Sequence, residues 1–296
     1  MDICKLHTGN SDIIKIEREI FERETQKHRI YYQQNPNSTE QEKIVPFAVC
    51  PACDNPIQII GLYKKLKNTD KPYGRHYSKD VLPLAKYSQE AYDYCPYANP
   101  RKFSKESRRS KISQLARDIL QILKERFDKA IYIISEDTGI VIKENLAETM
   151  LKTYIKSEGY LYTGATRMNV PWILAYMSNS NSLFGRIVKD NILKEALSTV
   201  PGLVINEKGQ VQNDGKVFLD VNFCFCGHSI KHAGNTATES MDFLVTNGKP
   251  GKSSIVYEKK IVIDPLRFQN VTYENKKMLA TAKEILESAI GGTLKK

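Results

Sequence analysis

The stretch LVINEKGQVQNDGKVFLDVNFCFCG (203–227) decides the fold class. It is rich in Val, Ile and Phe and broken by Gly-containing turns, so it reads as two strands. Two more strands follow with no helix between them, in MDFLVTN (241–247) and SIVYEKKIVID (254–264). Helical patterns lie on either side of this block. One is expected from about Thr272 to Ile290, ended by Gly291-Gly292. Another is expected from Leu183 to Thr199, stopped at Pro201-Gly202. Helix, strand and helix therefore segregate, which predicts an α+β fold with a mainly antiparallel sheet and not alternating βαβ units.

Toward the N-terminus, a helix is expected from about Glu144 to Ser157, closed by Gly159. IYIISEDTGIVIK (131–143) reads as a hairpin or two short strands. A long helix is expected from Ser104 to near Lys129, with Ile112, Leu115, Ile119, Ile122 and Leu123 as its buried stripe. The polar, basic run NPRKFSKESRRSK (99–111) divides the chain into an N-terminal helix plus Cys-rich region (1–100) and an α+β region with a C-terminal helix (101–296). Val45–Val49 reads as a strand leading into the Cys-rich turn, and 35–39 as a loop. Ser11 or Asp12 is expected to cap a helix running to about Gln34, because Ile13, Ile16 and Ile20 recur at helical spacing.

The composition is globular: 296 residues, 41% hydrophobic and 26% charged. The longest apolar run, Val170–Met177, is too short to cross a membrane. The opening MDICKLHTGNSDI lacks a basic head followed by an apolar stretch, so a cytoplasmic protein with reduced thiols is expected. The net charge of +10, concentrated between Ile60 and Ala130, suits nucleic acid, a membrane surface or an acidic protein partner without choosing among them.

Cys50-Pro51-Ala52-Cys53 is the sharpest local signal. Two thiolates at this spacing can grip one ion from a tight turn, and His76 and Cys95 would complete a Cys₃His tetrahedron. Zinc is the expected metal, one per chain. Four protein ligands leave no seat for a reacting water, so the site is expected to support the N-terminal region and not to catalyse. Buried thiols without a metal are the plainer account of the same residues.

A second group, Cys224, Cys226, His228 and His232, could hold a metal or a cysteine nucleophile. Phe223 and Phe225 on the alternate face make a strand buried on both sides the simpler account. GKPGKSS (248–254) lacks the first glycine of a phosphate loop and reads as a turn. Asp242, Glu258 and Lys260 could hold Mg²⁺ beside a lysine, as a metal-dependent nuclease would. Such triplets more often decorate a solvated strand. Arg101, Lys102, Lys105, Arg108, Arg109 and Lys111 could contact phosphates or a protein partner, and tyrosines from Tyr63 to Tyr97 crowd the same region.

Finally, CPACDNPIQIIGLYKK (50–65), PYGRHY (72–77) and EAYDYCPYA (90–98) resemble a segment of proteins from bacterial viruses and prophages. In length and in the lack of catalytic motifs the chain is similar to the Gabija anti-defence family. That resemblance implies a non-enzymatic viral inhibitor acting in the host cytoplasm. It would assemble as a homo-oligomer around the host's Gabija nuclease–helicase complex and keep DNA from being bound and cut. A zinc-containing nucleic-acid-binding protein, or a metal-dependent nuclease, is the alternative.

Overall fold

A computed structural model describes residues 1–296 other than 11, 35–43, 65–66, 68, 70, 100–103, 234–235, 249–251 and 294–296. The expected cap at Ser11, the 35–39 loop and the centre of the 248–254 turn lie outside the described residues.

The N-terminal portion holds β1 (Ile3–Cys4), β2 (Ile14–Lys15), α1 (Arg18–Thr25), β3 (Tyr32–Gln34), β4 (Ile44–Val49), β5 (Pro56–Ile60), β6 (Tyr73–His76) and α2 (Gln89–Asp93). Strands β3-β4-β5-β6 form an antiparallel sheet in that order, and β1 pairs with β2. The single helix expected up to Gln34 is therefore corrected. Ile13 and Ile16 are buried beside a strand pair in which Cys4 faces Ile14, and Gln26 and Lys27 at positive φ end α1. Their spacing fits a helix, but their apolar surface is covered by β-pairing instead.

The longer portion holds α3 (Gln114–Thr138), α4 (Glu144–Lys156), a 3₁₀ turn (Gly159–Leu161), α5 (Val170–Tyr176), β7 (Asn181–Ser182), α6 (Asn191–Ser198), β8 (Leu203–Ile205), β9 (Val211–Asn213), β10 (Val221–Ala233), β11 (Thr236–Asn247), β12 (Ser254–Val262), α7 (Pro265–Asn270) and α8 (Lys276–Thr293). The meander β10-β11-β12 with β7 makes an antiparallel sheet, and the class is α+β as expected, but the stretch 203–227 read as two strands holds β8 and β9, which pair only with each other, and the start of β10. Helices α3, α4, α5 and α8 pack against one another beside it.

Four expectations in this portion are corrected. The last helix, α8, begins at Lys276 and not near Thr272, and it runs through Gly291 and Gly292 to Thr293 and is not ended by them. The long helix starts at Ser113, whose Oγ accepts from the Ala116 N–H, and not at Ser104. It runs on, with a kink at Arg126, through IYIISEDT, which was expected to be β. The β-branched run is overridden because Phe127, Ala130, Ile131 and Ile134 share one buried helical face. The helix expected from Leu183 is only Asn191–Ser198, since 183–190 runs extended, with bridges Ile140↔Val188 and Ile187↔Gln210.

The presumed hairpin turn at EDTG is thus a helix end. Gly139 at φ +69 caps α3, and a Cβ there would sit 2.2 Å from the Asp190 Cβ. Gly139→Ala is expected to cost about 2 kcal/mol or more. A lower urea midpoint with an unchanged slope would show it; an unaltered midpoint would contradict the strain.

Buried apolar side chains fall into two clusters. One is drawn from residues 116–286. The other comes from residues 1–95 plus Met168, which reaches across from the longer portion.

Candidate metal centre

Cys50 directly follows β4 and opens a tight turn. Its N–H donates to the Asn55 carbonyl (2.8 Å), and the Asp54 N–H donates back to the Cys50 carbonyl (3.1 Å). Asp54 sits at φ +60 so that the chain can reverse. The buried Asn55 side chain then bonds the backbone of Ser88, accepting from its N–H (2.6 Å) and donating to its carbonyl (3.0 Å). Ser88 caps α2, and the turn after α2 delivers Cys95. His76 arrives from the end of β6, opposite Ile57. A short chain of local bonds thus carries four sequence-distant donors to one point.

The donor atoms of Cys50, Cys53, His76 and Cys95 lie within 4.8 Å of one another and could hold a metal ion. Cys50 Sγ is 3.7 Å from Cys95 Sγ; His76 Nε2 is 3.3 Å from Cys53 Sγ and 3.5 Å from Cys95 Sγ. A tetrahedral ion bonded at ordinary zinc distances would set sulfur–sulfur edges of about 3.8 Å and sulfur–nitrogen edges of about 3.6 Å. Those three edges stand near that spacing, and every pair lies within 4.8 Å. Tyr92 closes one side, edge-on to the His76 ring at 5.2 Å.

Electrostatics fit a cation too. Burial pushes the Cys50 thiol up, but hydrogen bonds from Cys53, Cys95 and His76 outweigh it and hold Cys50 well below the ordinary thiol range. Its bond to Cys50 pushes Cys53 up, and burial pushes Cys95 up. The opposed shifts on adjacent sulfurs mean that the three thiols resist ionising together. Only a bound cation would let all three sulfurs ionise together, with release of protons. Cys4, fully buried nearby, is raised by desolvation and then by Cys50, and stands outside the donor set. Among the described residues no other group of three or more His, Cys, Asp or Glu is close enough to hold an ion.

The other sequence candidates are arranged differently. Arg101 and Lys102 lie outside the described residues. Arg108 donates to the carbonyls of Ser157, Lys105 and Ser107, and Arg109 to those of Tyr162, Thr163 and Ala165. Lys105 reaches the Ser178 carbonyl and lies 5.2 Å over the Tyr176 ring. Lys111 is exposed. Asp242 and Lys260 face each other across β11 and β12 as an ion pair, while Glu258 faces Leu244.

Cys224 and Cys226 are half-buried on one face of β10, opposite Phe223 and Phe225. A bulge follows, in which Gly227 at φ +65 and His228 lie between the pairs Cys226↔Asp242 and Ser229↔Ser240. It turns His228 to the inner face, away from the two cysteines. There Nε2 meets Glu239 Oε1 at 2.7 Å and Nδ1 meets the Tyr162 hydroxyl at 2.9 Å. Asn169 Nδ2 also donates to Glu239 Oε1 (2.6 Å). The His232 side chain lies outside the described residues. Sequence reasoning missed this network, because no local signal ties Tyr162, Asn169 and Glu239 to His228.

No family model matches the chain, and no curated protein or solved structure matches it either. No helix is long and apolar enough to cross a membrane, among the described residues.

Proposed function

We propose that this chain is a zinc-braced binding protein whose metal supports a recognition surface and takes no part in turnover. The observation that carries this reading is the convergence of four protein donors on one point. Three thiols and an imidazole are the soft and borderline set that zinc favours over Mg²⁺ or Ca²⁺. With all four positions supplied by protein, the ion would have no vacancy for substrate.

The partner follows from the resemblance of residues 50–98. The chain is read as a viral inhibitor that, as a homo-oligomer, occludes the host's Gabija nuclease–helicase complex. The segment that carries this resemblance contains all four donors, so the brace and the recognition element would be one unit. Direct phosphate contact by residues 105–109 draws little support, because Lys105, Arg108 and Arg109 already donate to backbone carbonyls.

Co-purification tests this. Tagged protein mixed with the reconstituted nuclease–helicase complex is expected to elute with it and to abolish its DNA binding. Alone with Mg²⁺ it is expected to leave DNA intact. DNA cleavage by the isolated protein that disappears in Glu258→Ala would replace this reading with the nuclease one.

A further inference from the structure

Asp54 directly follows the second cysteine of the metal turn, yet its carboxylate stands outside the group of metal donors. One oxygen pairs with Lys5, whose side chain is fully buried. The other accepts from the Gly9 N–H (3.2 Å) and forms an ion pair with Arg167 Nη1 (3.0 Å). Arg167, only 5% exposed, also holds the Asp118 carboxylate through Nε (2.9 Å) and Nη2 (2.6 Å). Asp118 lies in the second turn of α3. The next residue, Met168, is buried in the N-terminal apolar cluster. One carboxylate thus joins the cysteine turn to the helix that organises the other cluster, beside a cavity of about 290 Å³ lined by Cys53, Asp54, Arg109 and Arg167.

We infer that metal occupancy of the Cys₃His site controls a latch, Asp54–Arg167–Asp118, which docks the N-terminal portion onto α3. This rests on the metal-brace reading above and adds what the brace regulates. Asp54 holds a left-handed backbone conformation, which aspartate adopts more readily than most residues but still less readily than ordinary right-handed or extended backbone. Ligation of Cys50 and Cys53 would fix both ends of that turn and so keep the carboxylate aimed at Arg167. With the ligands released, the turn can relax, and the buried Arg167 keeps only Asp118. Because coupling between two equilibria is reciprocal, a working latch also tightens metal binding.

Asp54→Asn isolates the effect. Asparagine tolerates the left-handed conformation and keeps the side chain's shape, but removes the charge that Arg167 and Lys5 share. Three samples decide the matter: metal-loaded wild type, wild type treated with a zinc chelator, and metal-loaded Asp54→Asn. Hydrogen exchange is read at residues 113–118 and 164–169, and zinc affinity by chelator competition. Exchange there is expected to rise tenfold or more in both perturbed samples. Zinc affinity of Asp54→Asn is expected to fall at least fivefold while one zinc per chain still binds at saturation. Unchanged exchange and affinity in Asp54→Asn, with wild type binding zinc normally, would overturn the latch alone. Wild type that binds no zinc would overturn the brace reading, and the latch with it.

Discussion

Cys50→Ser is expected to bind less than half an equivalent of metal and to lose the fold of residues 1–98, as seen in protease resistance and thermal unfolding. The physical reason is the thinness of the N-terminal core. Its sheet strands are three to six residues long, and its apolar cluster is the smaller of the two. Small cores of this kind depend on a staple. Structural zinc in finger peptides contributes on the order of 10 kcal/mol, more than the whole stability of many domains. Cys50 is also the thiol that its bonds to the other three donors hold well below the ordinary thiol range. Chelation of wild type should reproduce the variant, while Cys224→Ser, on the far sheet, should keep a full equivalent of metal. A Cys50→Ser protein with wild-type metal content and an unaltered melting curve would refute the brace.

The second large effect is expected at Glu239. Its Oε1 takes both the His228 imidazole and the Asn169 amide, inside a site where His228 and Asn169 are 2% and 0% exposed. Glu239→Leu removes the acceptor of His228 Nε2 and of one Asn169 N–H, the Asn169 amide keeping only the Gly164 carbonyl (2.9 Å), and should destabilise the chain by about 3 to 5 kcal/mol. Glu239→Gln retains an oxygen in place and should cost only about 1 kcal/mol, the difference between charged and neutral hydrogen bonds. Equal losses in the two variants, measured by urea denaturation, would show that packing and not the polar network sets the cost. Metal content should be unchanged in both, because the network belongs to the sheet of the longer portion.

The strands of the second sheet were legible because turn residues and hydrophobic alternation are local features. The same held for the span of α4, whose apolar positions lie within one short stretch, although Glu158 at φ +52 and not Gly159 takes the left-handed position after it. The metal donors were legible for a related reason: Cys50 and Cys53 announce a turn with two thiols, and His76 and Cys95 supply the remaining donor types. What could not be read was which way a side chain turns when a distant contact decides it. The segment 131–138 has strand-like composition, yet it joins a helix because Phe127 and Ile134 need the same apolar surface. Ile13 and Ile16 have helical spacing, yet they flank a strand pair formed with the first residues of the chain.

The amino-acid sequence by itself determined the four residues of the candidate metal site, the antiparallel strand block and the α+β class, since these depend on chemistry and periodicity within short stretches. Only the tertiary structure decided that His228 turns inward at the Gly227 bulge and that Arg108 and Arg109 serve backbone carbonyls. It alone placed Asp54 against Arg167, across more than a hundred residues of chain. Those partners are chosen by burial. A charge or imidazole removed from water must find its complement wherever the fold provides one, and sequence spacing carries no record of that place.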